Sequence, residues 1–560
     1  MDRPNHFQRL WSASGELAWR LMPLLAAAAL IYLPAFDTAV YADDWVRIRK
    51  FYFGQLPLLD LSSRRPLEEA VFGFFFGLFG LNFRVLLAVQ ILILLLCALL
   101  IAEVVRRAFP SAQVLALPAG LLFLTYPGDY TRLWFTRIYH WVILAAVLAG
   151  ALLLLDYAAR GGWPRLAAAL ALMTLSLGAY DGQLGLVLAS GLLPALLLRG
   201  LPARRRLLLL LPAALGSAFA VWRLALQPAL LGVRDPYLAG MSFDPLQLVL
   251  NTLRGYPVLL RVWIHPFEGL LPGISPLKLG AILAACAAGL PLAALAFLPP
   301  EPRPTLAARL GATRPLLLPL AVGLALTAAG FFPAIVQGGA MLDMNTASTR
   351  ANQYAFFGAA LALAALLAAG LTLLNGSPAR LPVLLYVALS PLLLNGLVQQ
   401  TWVQAEAHLA WSRQQFFYRN LFLAVPNLRD GATLLVVEKT PYPARPFERL
   451  PLMVEWEINN AVAVLYNNPS LQGMLYLPDF SRGGSRETRL EADGAHGYDI
   501  PLAVYERMVI VLYTPANGKV ELVSDPEKEL ELEFAIQGYQ PWQWILEQPP
   551  ASAPARQLLH

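Results

Sequence analysis

Residues 84–105 read RVLLAVQILILLLCALLIAEVV and run straight into Arg106-Arg107. An α-helix needs about 20 consecutive apolar residues to cross the hydrocarbon core of a bilayer, and this segment supplies them. Similar apolar runs recur from Leu21 to Leu397, separated by short polar loops. By this criterion the sequence predicts about eleven spans, at 20–37, 84–105, 112–127, 139–158, 165–180, 183–199, 207–226, 276–298, 315–333, 353–374 and 381–400. The predicted fold class is mainly α, a polytopic transmembrane helical bundle, with a C-terminal extracytoplasmic α/β domain.

The bulk composition agrees. Of 560 residues, 58% are hydrophobic and 14% charged, where a soluble chain would carry about 25% charged residues. Mean hydropathy is +0.55. The net charge of +6 does not point to nucleic acid, because the basic residues lie between the apolar runs. The two cysteines, Cys97 and Cys286, fall inside apolar segments and read as packed thiols. Neither a CxxC nor a Cys/His cluster occurs, which argues against structural zinc. The Leu/Ala/Arg-rich, Lys-poor composition suggests a GC-rich bacterial genome and hence a bacterial cytoplasmic membrane.

Loop charges orient the spans. Arg106, Arg107, Arg160, Arg165, Arg199, Arg204 to Arg206, Arg303, Arg309, Arg314 and Arg380 all fall on one side, which the positive-inside rule makes cytoplasmic. Arg3, Arg9 and Arg20 precede the apolar run from Leu21 to Pro34, and Val40-Tyr41-Ala42 resembles a cleavage site. The segment is expected to remain as the first anchor. Residues 1–19 are then a cytoplasmic N-terminus and 20–400 the transmembrane domain, with outer loops at 38–83, 227–275 and 334–352. Residues 401–548 form the extracytoplasmic α/β domain, and 549–560 a disordered Pro/Ala-rich tail.

Local patterns refine this outline. Trp45 to Phe53, Glu68 to Phe79 and Leu246 to Trp263 read as short interfacial helices. Trp411 to Leu428 and Pro451 to Tyr466 read as helices. Thr433 to Glu438 reads as a buried strand. Met508 to Tyr513 and Val520 to Val523 read as two strands joined through an Asn-Gly turn.

The residues able to carry chemistry cluster at the outer ends of spans. Asp43 and Asp44, beside Trp45, follow the first span, and Arg64 and Arg65 lie in the same loop. A carboxylate there can accept the proton of an attacking hydroxyl, or hold a divalent cation through its oxygens. Guanidinium forks suit phosphate. Asp129, Arg132, Arg137, Tyr139 and His140 crowd one outer turn, and Asp181 occupies another. Arg350, with Asp343, Asn352 and Gln353, precedes a late span and can clamp a phosphate from the far side. Arg234, Asp235, Arg254, Arg261, His265 and Glu268 populate the loop at 227–275 without an evident order. Neither a nucleotide-binding glycine loop nor a HExxH or GxSxG motif is present.

This pattern resembles the polytopic GT-C glycosyltransferases, in their mannosyltransferase/arabinosyltransferase-like branch. The resemblance rests on Asp43-Asp44 after the first span, Arg65-Pro66 in a long first loop, Asp181 at an outer turn and Ser348-Thr-Arg350 before a late span, and it covers roughly 20–400. Many relatives would show a glutamate where Tyr180-Asp181 stands, and the C-terminal domain matches no catalytic module. The resemblance implies a polyprenyl-phosphate-sugar donor, an acceptor at the outer face, inversion at the anomeric carbon, and an acid of the first loop as base or metal ligand. By match that acid is Asp43 or Asp44. The partners expected are this donor, a glycan, lipid or protein acceptor, and membrane lipids. No soluble cofactor is expected beyond a divalent cation on Asp43 and Asp44. The alternatives are a lipid or glycan flippase or transporter, and a non-catalytic assembly protein with an outer sensing domain.

Overall fold

The computed structural model of the protein describes residues 21–33, 40, 43–61, 63, 65–128, 131–132, 134–198, 200–232, 241, 244–263, 285–286, 289–295, 304–336, 353–375, 377, 379–438, 455–477, 488–497, 500–515 and 517–548. Asp129, Arg64, Arg350 and the N- and C-terminal segments 1–20 and 549–560 lie outside them, as does most of the predicted span 276–298.

Helices dominate. In chain order they are α1 (Leu21–Tyr32), α2 (Asp43–Tyr52), α3 (Glu68–Phe79), α4 (Phe83–Ala108), α5 (Ala116–Thr125), α6 (Ile138–Arg160), α7 (Trp163–Ala179), α8 (Leu184–Leu197), α9 (Ala203–Leu231, with a π turn at Trp222–Leu226), α10 (Pro245–Arg261), α11 (Leu306–Val336), α12 (Phe356–Asn375) and α13 (Leu381–Ala424). Six of these segments are long and apolar enough to cross a membrane: Phe83–Ala108, Phe135–Arg160, Ala203–Leu231, Leu306–Phe332, Gln353–Leu374 and Leu381–Ala424. Shorter apolar helices at Leu21–Tyr32, Pro110–Thr125, Trp163–Ala179 and Asp181–Leu197 occupy the places of four further predicted spans. The protein is an integral membrane protein. Exposed leucines on the long helices, such as Leu92, Leu96, Leu317 and Leu394, face outward, as a lipid-facing surface requires.

Small residues set how closely the helices approach. A Cβ at Gly358 would sit 2.2 Å from Thr327 N, and one at Gly330 would sit 2.4 Å from the Tyr354 carbonyl. α11 and α12 therefore pack backbone to backbone. This is the route by which membrane helices gain dispersion contacts without a hydrophobic drive.

The arginine-rich ends come together. Arg107 Nη1 pairs with Asp156 Oδ1 at 2.7 Å, Arg205 Nη1 donates to Ala158 O at 3.0 Å, and Arg206 Nε donates to Ala195 O at 2.6 Å. The ends of α4, α6 and α8 and the start of α9 thus share one end of the bundle. At the opposite end the first loop joins α7, where Leu67 N donates to Gly178 O at 2.9 Å.

The polar C-terminal region forms a parallel-based sheet: β1 (Thr433–Glu438) at its centre, β2 (Gln472–Tyr476) and β3 (Met508–Thr514) parallel on either side, and β4 (Lys519–Leu522) antiparallel to β3. β1 is buried throughout, which is why its sequence is a run of apolar residues rather than an alternation. Helix α14 (Glu455–Leu465) covers β2 and also packs on α2. The predicted helices 381–400 and 411–428 are one helix, α13, 44 residues long, which stops at Ala424; Asn427-Leu428 instead pairs antiparallel with Ile545-Leu546. No proline or glycine falls between Leu397 and Ala424 to end it. Tyr418 of α13 meets Trp45 of α2 edge-on at 5.8 Å, and Gln414 Nε2 donates to Glu457 Oε1 at 2.5 Å.

Candidate functional site

The first loop returns to the bundle through α2 and α3, and charge pairing fixes the geometry of that return. Arg47 Nη2 pairs with Glu68 Oε1 at 2.8 Å, and its other terminal nitrogen pairs with Glu69. Lys50 Nζ also reaches Glu69, at 2.6 Å. Burial works against the Glu68 carboxylate, but Arg47 and Arg65 outweigh it and hold its pKa below the ordinary carboxylate range.

Glu68 in turn positions Arg65, whose Nη1 lies 3.2 Å from Glu68 Oε1 and 3.1 Å from the Tyr139 hydroxyl. The guanidinium stacks 4.1 Å from the Tyr180 ring centroid and sits 4.0 Å from Asp181 Oδ1. Asp181 Oδ2 is 3.9 Å from Arg223 Nε. Arg223 Nη1 donates to Gln227 Oε1 at 2.8 Å, and Gln227 Nε2 donates back to the first loop at Ser63 O, also at 2.8 Å. The half-buried Asp181 carboxylate thus links two arginines from distant parts of the chain.

A ring cluster continues inward. His140 and Tyr180 have centroids 4.4 Å apart, Tyr139 and Tyr180 5.8 Å, and Tyr180 and Tyr354 5.7 Å. Gly182 makes room for it, since a Cβ there would fall 2.1 Å from Tyr180 Cε1 and 2.9 Å from Tyr354 Cε2. Arg137 Nη1 donates to His140 Nε2 at 2.6 Å, and Arg137 Nε donates to Thr131 Oγ1 at 2.9 Å. A guanidinium can only donate, so this contact makes Nε2 an acceptor and leaves the imidazole proton on Nδ1. There it faces the Tyr354 hydroxyl, which can accept it.

Several donors in this cluster remain unspent. Arg65 Nε, Arg137 Nη2 and both polar atoms of the Gln183 side chain are buried without a hydrogen-bond partner among the described residues. Arg137 is 4% exposed and Gln183 0%. Buried polar atoms are normally satisfied, because leaving one unpaired costs about 1–3 kcal/mol. A ligand with acceptor oxygens would satisfy Arg65 Nε, Arg137 Nη2 and Gln183 Nε2, and a ligand hydroxyl would satisfy Gln183 Oε1.

The acidic pair sits next to this cluster. Asp44 is fully buried at the start of α2, and its carboxylate accepts from Thr136 N at 2.7 Å and Phe135 N at 3.3 Å. It thereby caps the turn that opens α6 and carries Arg137, matching a negative charge to amides at a helix N-terminus. Asp43 is the first residue of α2, and its side chain lies outside the described residues.

Of the sequence-predicted site residues, Arg65, Arg137, Tyr139, His140 and Asp181 meet in one place. Two others go elsewhere. Trp45 is buried against Tyr418. Arg132 is fully buried, with Nη1 donating to Leu124 O at 2.6 Å and Nη2 to Phe123 O at 3.0 Å, so it closes the carbonyl end of α5. Sequence reasoning missed the parts of Arg47, Glu68, Arg223, Gln183 and Tyr354. For Arg223 a signal existed: an arginine inside an apolar span marks function by default.

No family model and no curated protein matches the chain. Among solved structures, it is similar to ArnT from Cupriavidus metallidurans bound to undecaprenyl phosphate. Sequence identity is 15%, over 82% of this chain and 90% of that chain, with a TM-score of 0.34. Similarity at this level assigns neither a family nor an activity.

Proposed function

We propose that the protein is a membrane glycosyltransferase that moves a sugar from a polyprenyl-phosphate donor to an acceptor at the extracytoplasmic face. One observation carries this. Arg137 Nη2 and Arg65 Nε, the latter 4.0 Å from Asp181 Oδ1, are buried without a hydrogen bond among the described residues, in a tyrosine-lined cluster at the end of the bundle opposite the arginine-rich loops. Guanidinium groups held in a low-dielectric site match the negative charge that develops on a departing lipid phosphate. The outward-facing leucines of the spans suit the polyprenyl tail. Arg350 completes the cationic set in this reading.

The acidic pair supplies the base. Asp44 already accepts two backbone amides, so its proposed task is to hold α2 against the start of α6. Asp43, adjacent in the same helix, takes the proton of the acceptor hydroxyl. The Asp43 carboxylate is also the proposed ligand for a divalent cation. EDTA-sensitive transfer would assign Asp43 that role, and EDTA-resistant transfer would leave it the base.

The competing reading is a lipid flippase, which needs the cationic cluster but no base. Arg223, buried within the span Ala203–Leu231, favours it. The gathering of Arg65, Arg137, His140 and Asp181 at helix ends favours the enzyme. The test is transfer of labelled sugar from a panel of polyprenyl-phosphate-sugars by protein in lipid nanodiscs, for wild type and Asp43→Asn. Transfer by wild type alone supports the proposal. Equal transfer by both removes Asp43 from the mechanism. Lipid flipping without transfer establishes the competitor.

A further inference from the structure

The C-terminal domain contains a cleft of about 910 Å³ that the chemistry above does not use. Arg429, Asp430, Asn468, Ser470, Gln543 and Trp544 line it. Three of its polar side chains, Asp430, Asn468 and Ser470, are linked to one another. Asn468 Nδ2 donates to Asp430 Oδ1 at 2.8 Å, Ser470 Oγ donates to Asn468 Oδ1 at 2.7 Å, and Gly431 N donates to Ser470 Oγ at 3.0 Å. Asn467, in the same turn, holds a left-handed φ of 53°, a conformation that asparagine tolerates better than most residues. The indole of Trp544 is fixed as well. Its Nε1 donates to Glu506 O at 2.6 Å, and its carbonyl accepts from Arg429 N at 3.0 Å.

A pinned aromatic ring beside amide, hydroxyl and carboxylate groups is the chemistry that binds a sugar. The ring packs the apolar C–H face of a pyranose, and the polar groups exchange hydrogen bonds with its hydroxyls. Arg429 and Asp430 carry opposite charges, so the lining is balanced and suits an uncharged glycan better than a phosphate.

Position adds a second argument. Arg49 Nη2 donates to Pro469 O at 3.0 Å, which ties the rim of the cleft to α2. Arg49 follows Asp43 by six residues on that helix, or about 9 Å of helix rise. We infer that the cleft is the subsite for a neutral glycan acceptor, holding the chain while its end reaches the acidic pair. This rests on the glycosyltransferase reading only for the acceptor role; glycan binding stands by itself.

Full-length protein in nanodiscs would be titrated calorimetrically with maltohexaose, mannohexaose and N-acetylchitohexaose, for wild type, Trp544→Ala and Asp430→Ala. Asp430 is exposed, so its replacement spares folding if the tryptophan variant does not. Binding of at least one glycan, weakened about tenfold or more in both variants, is expected. In the transfer assay the same variants should raise acceptor KM and leave donor affinity unchanged. Absence of binding by wild type, or equal binding by both variants, overturns the inference. Cleft-dependent glycan binding without sugar transfer would sink the enzyme reading and leave the glycan site. Transfer without glycan binding would do the reverse.

Discussion

Replacing Asp44 by asparagine conserves the shape of the side chain and removes its charge. In the native protein both carboxylate oxygens face backbone amides, Thr136 N at 2.7 Å and Phe135 N at 3.3 Å, with no solvent exposure. Asparagine keeps one acceptor oxygen and turns an NH2 toward the second amide. The loss is one charge-assisted bond, about 2 kcal/mol, or roughly 30-fold in the local opening equilibrium. Asp44→Ala leaves both amides buried and unpaired, at about 4 kcal/mol or roughly 1,000-fold. Hydrogen–deuterium exchange of peptides covering 134–140, in nanodiscs, reads this directly. Exchange there should accelerate by those factors while α12 stays unchanged. Sugar transfer should fall in step, because Arg137 moves with the turn. Unaltered exchange in Asp44→Asn would refute the capping role. Lost transfer with native exchange would make Asp44 the base.

Three further outcomes follow from the site and the C-terminal domain. Arg137→Gln should lower transfer by about 100- to 1,000-fold with an unchanged circular dichroism spectrum, and Arg137→Lys should recover only part, since it restores charge but not the fork; wild-type rates in Arg137→Gln would refute the phosphate role. Gly182→Ala should force Tyr180 and Tyr354 apart and cost about 100-fold in transfer and about 1–3 kcal/mol of stability, measured by rate and thermal unfolding together. Glu438 on β1 has Oε2 buried without a partner among the described residues, and burial raises its pKa from 4.5 to about 7. The folded state then holds this proton more tightly than the unfolded state. Stability from this group is complete below pH 4.5, falls as pH rises toward 7, and is flat beyond; Glu438→Gln should remove that slope and gain about 3 kcal/mol above pH 7 in denaturant titrations.

The architecture was legible because hydrophobic periodicity is local. Glu68–Phe79 and Thr433–Glu438 appear in the structure with the bounds read from sequence. The strands around the Asn-Gly turn differ by one residue at their ends. Other features depend on partners that sequence does not reveal. Asp44 reads as an idle or catalytic acid until its partners, more than ninety positions away, are seen. Arg132 reads as a site residue because it sits among charges, yet it turns back onto carbonyls eight and nine residues earlier. Arg65, Arg137, His140 and Asp181 were recognisable as types at outer span ends, but not Glu68, which orients Arg65 from a helix expected only to lie at the interface.

The unbroken run of α13 fixes a phase as well as a distance. Its 44 residues span about 66 Å at 1.5 Å per residue. Far along it, Phe417 meets Tyr513 at 4.7 Å and Asn420 Nδ2 donates to Gly518 O at 2.7 Å. One residue inserted near position 405 would rotate everything beyond it by about 100° and break these contacts with the sheet or those with α2. Seven inserted residues, close to two turns, would restore the angle but lift the domain by about 10 Å, stretching the Arg49–Pro469 tie. The helix that joins the bundle to the C-terminal sheet therefore accepts neither a change of angle nor a change of height.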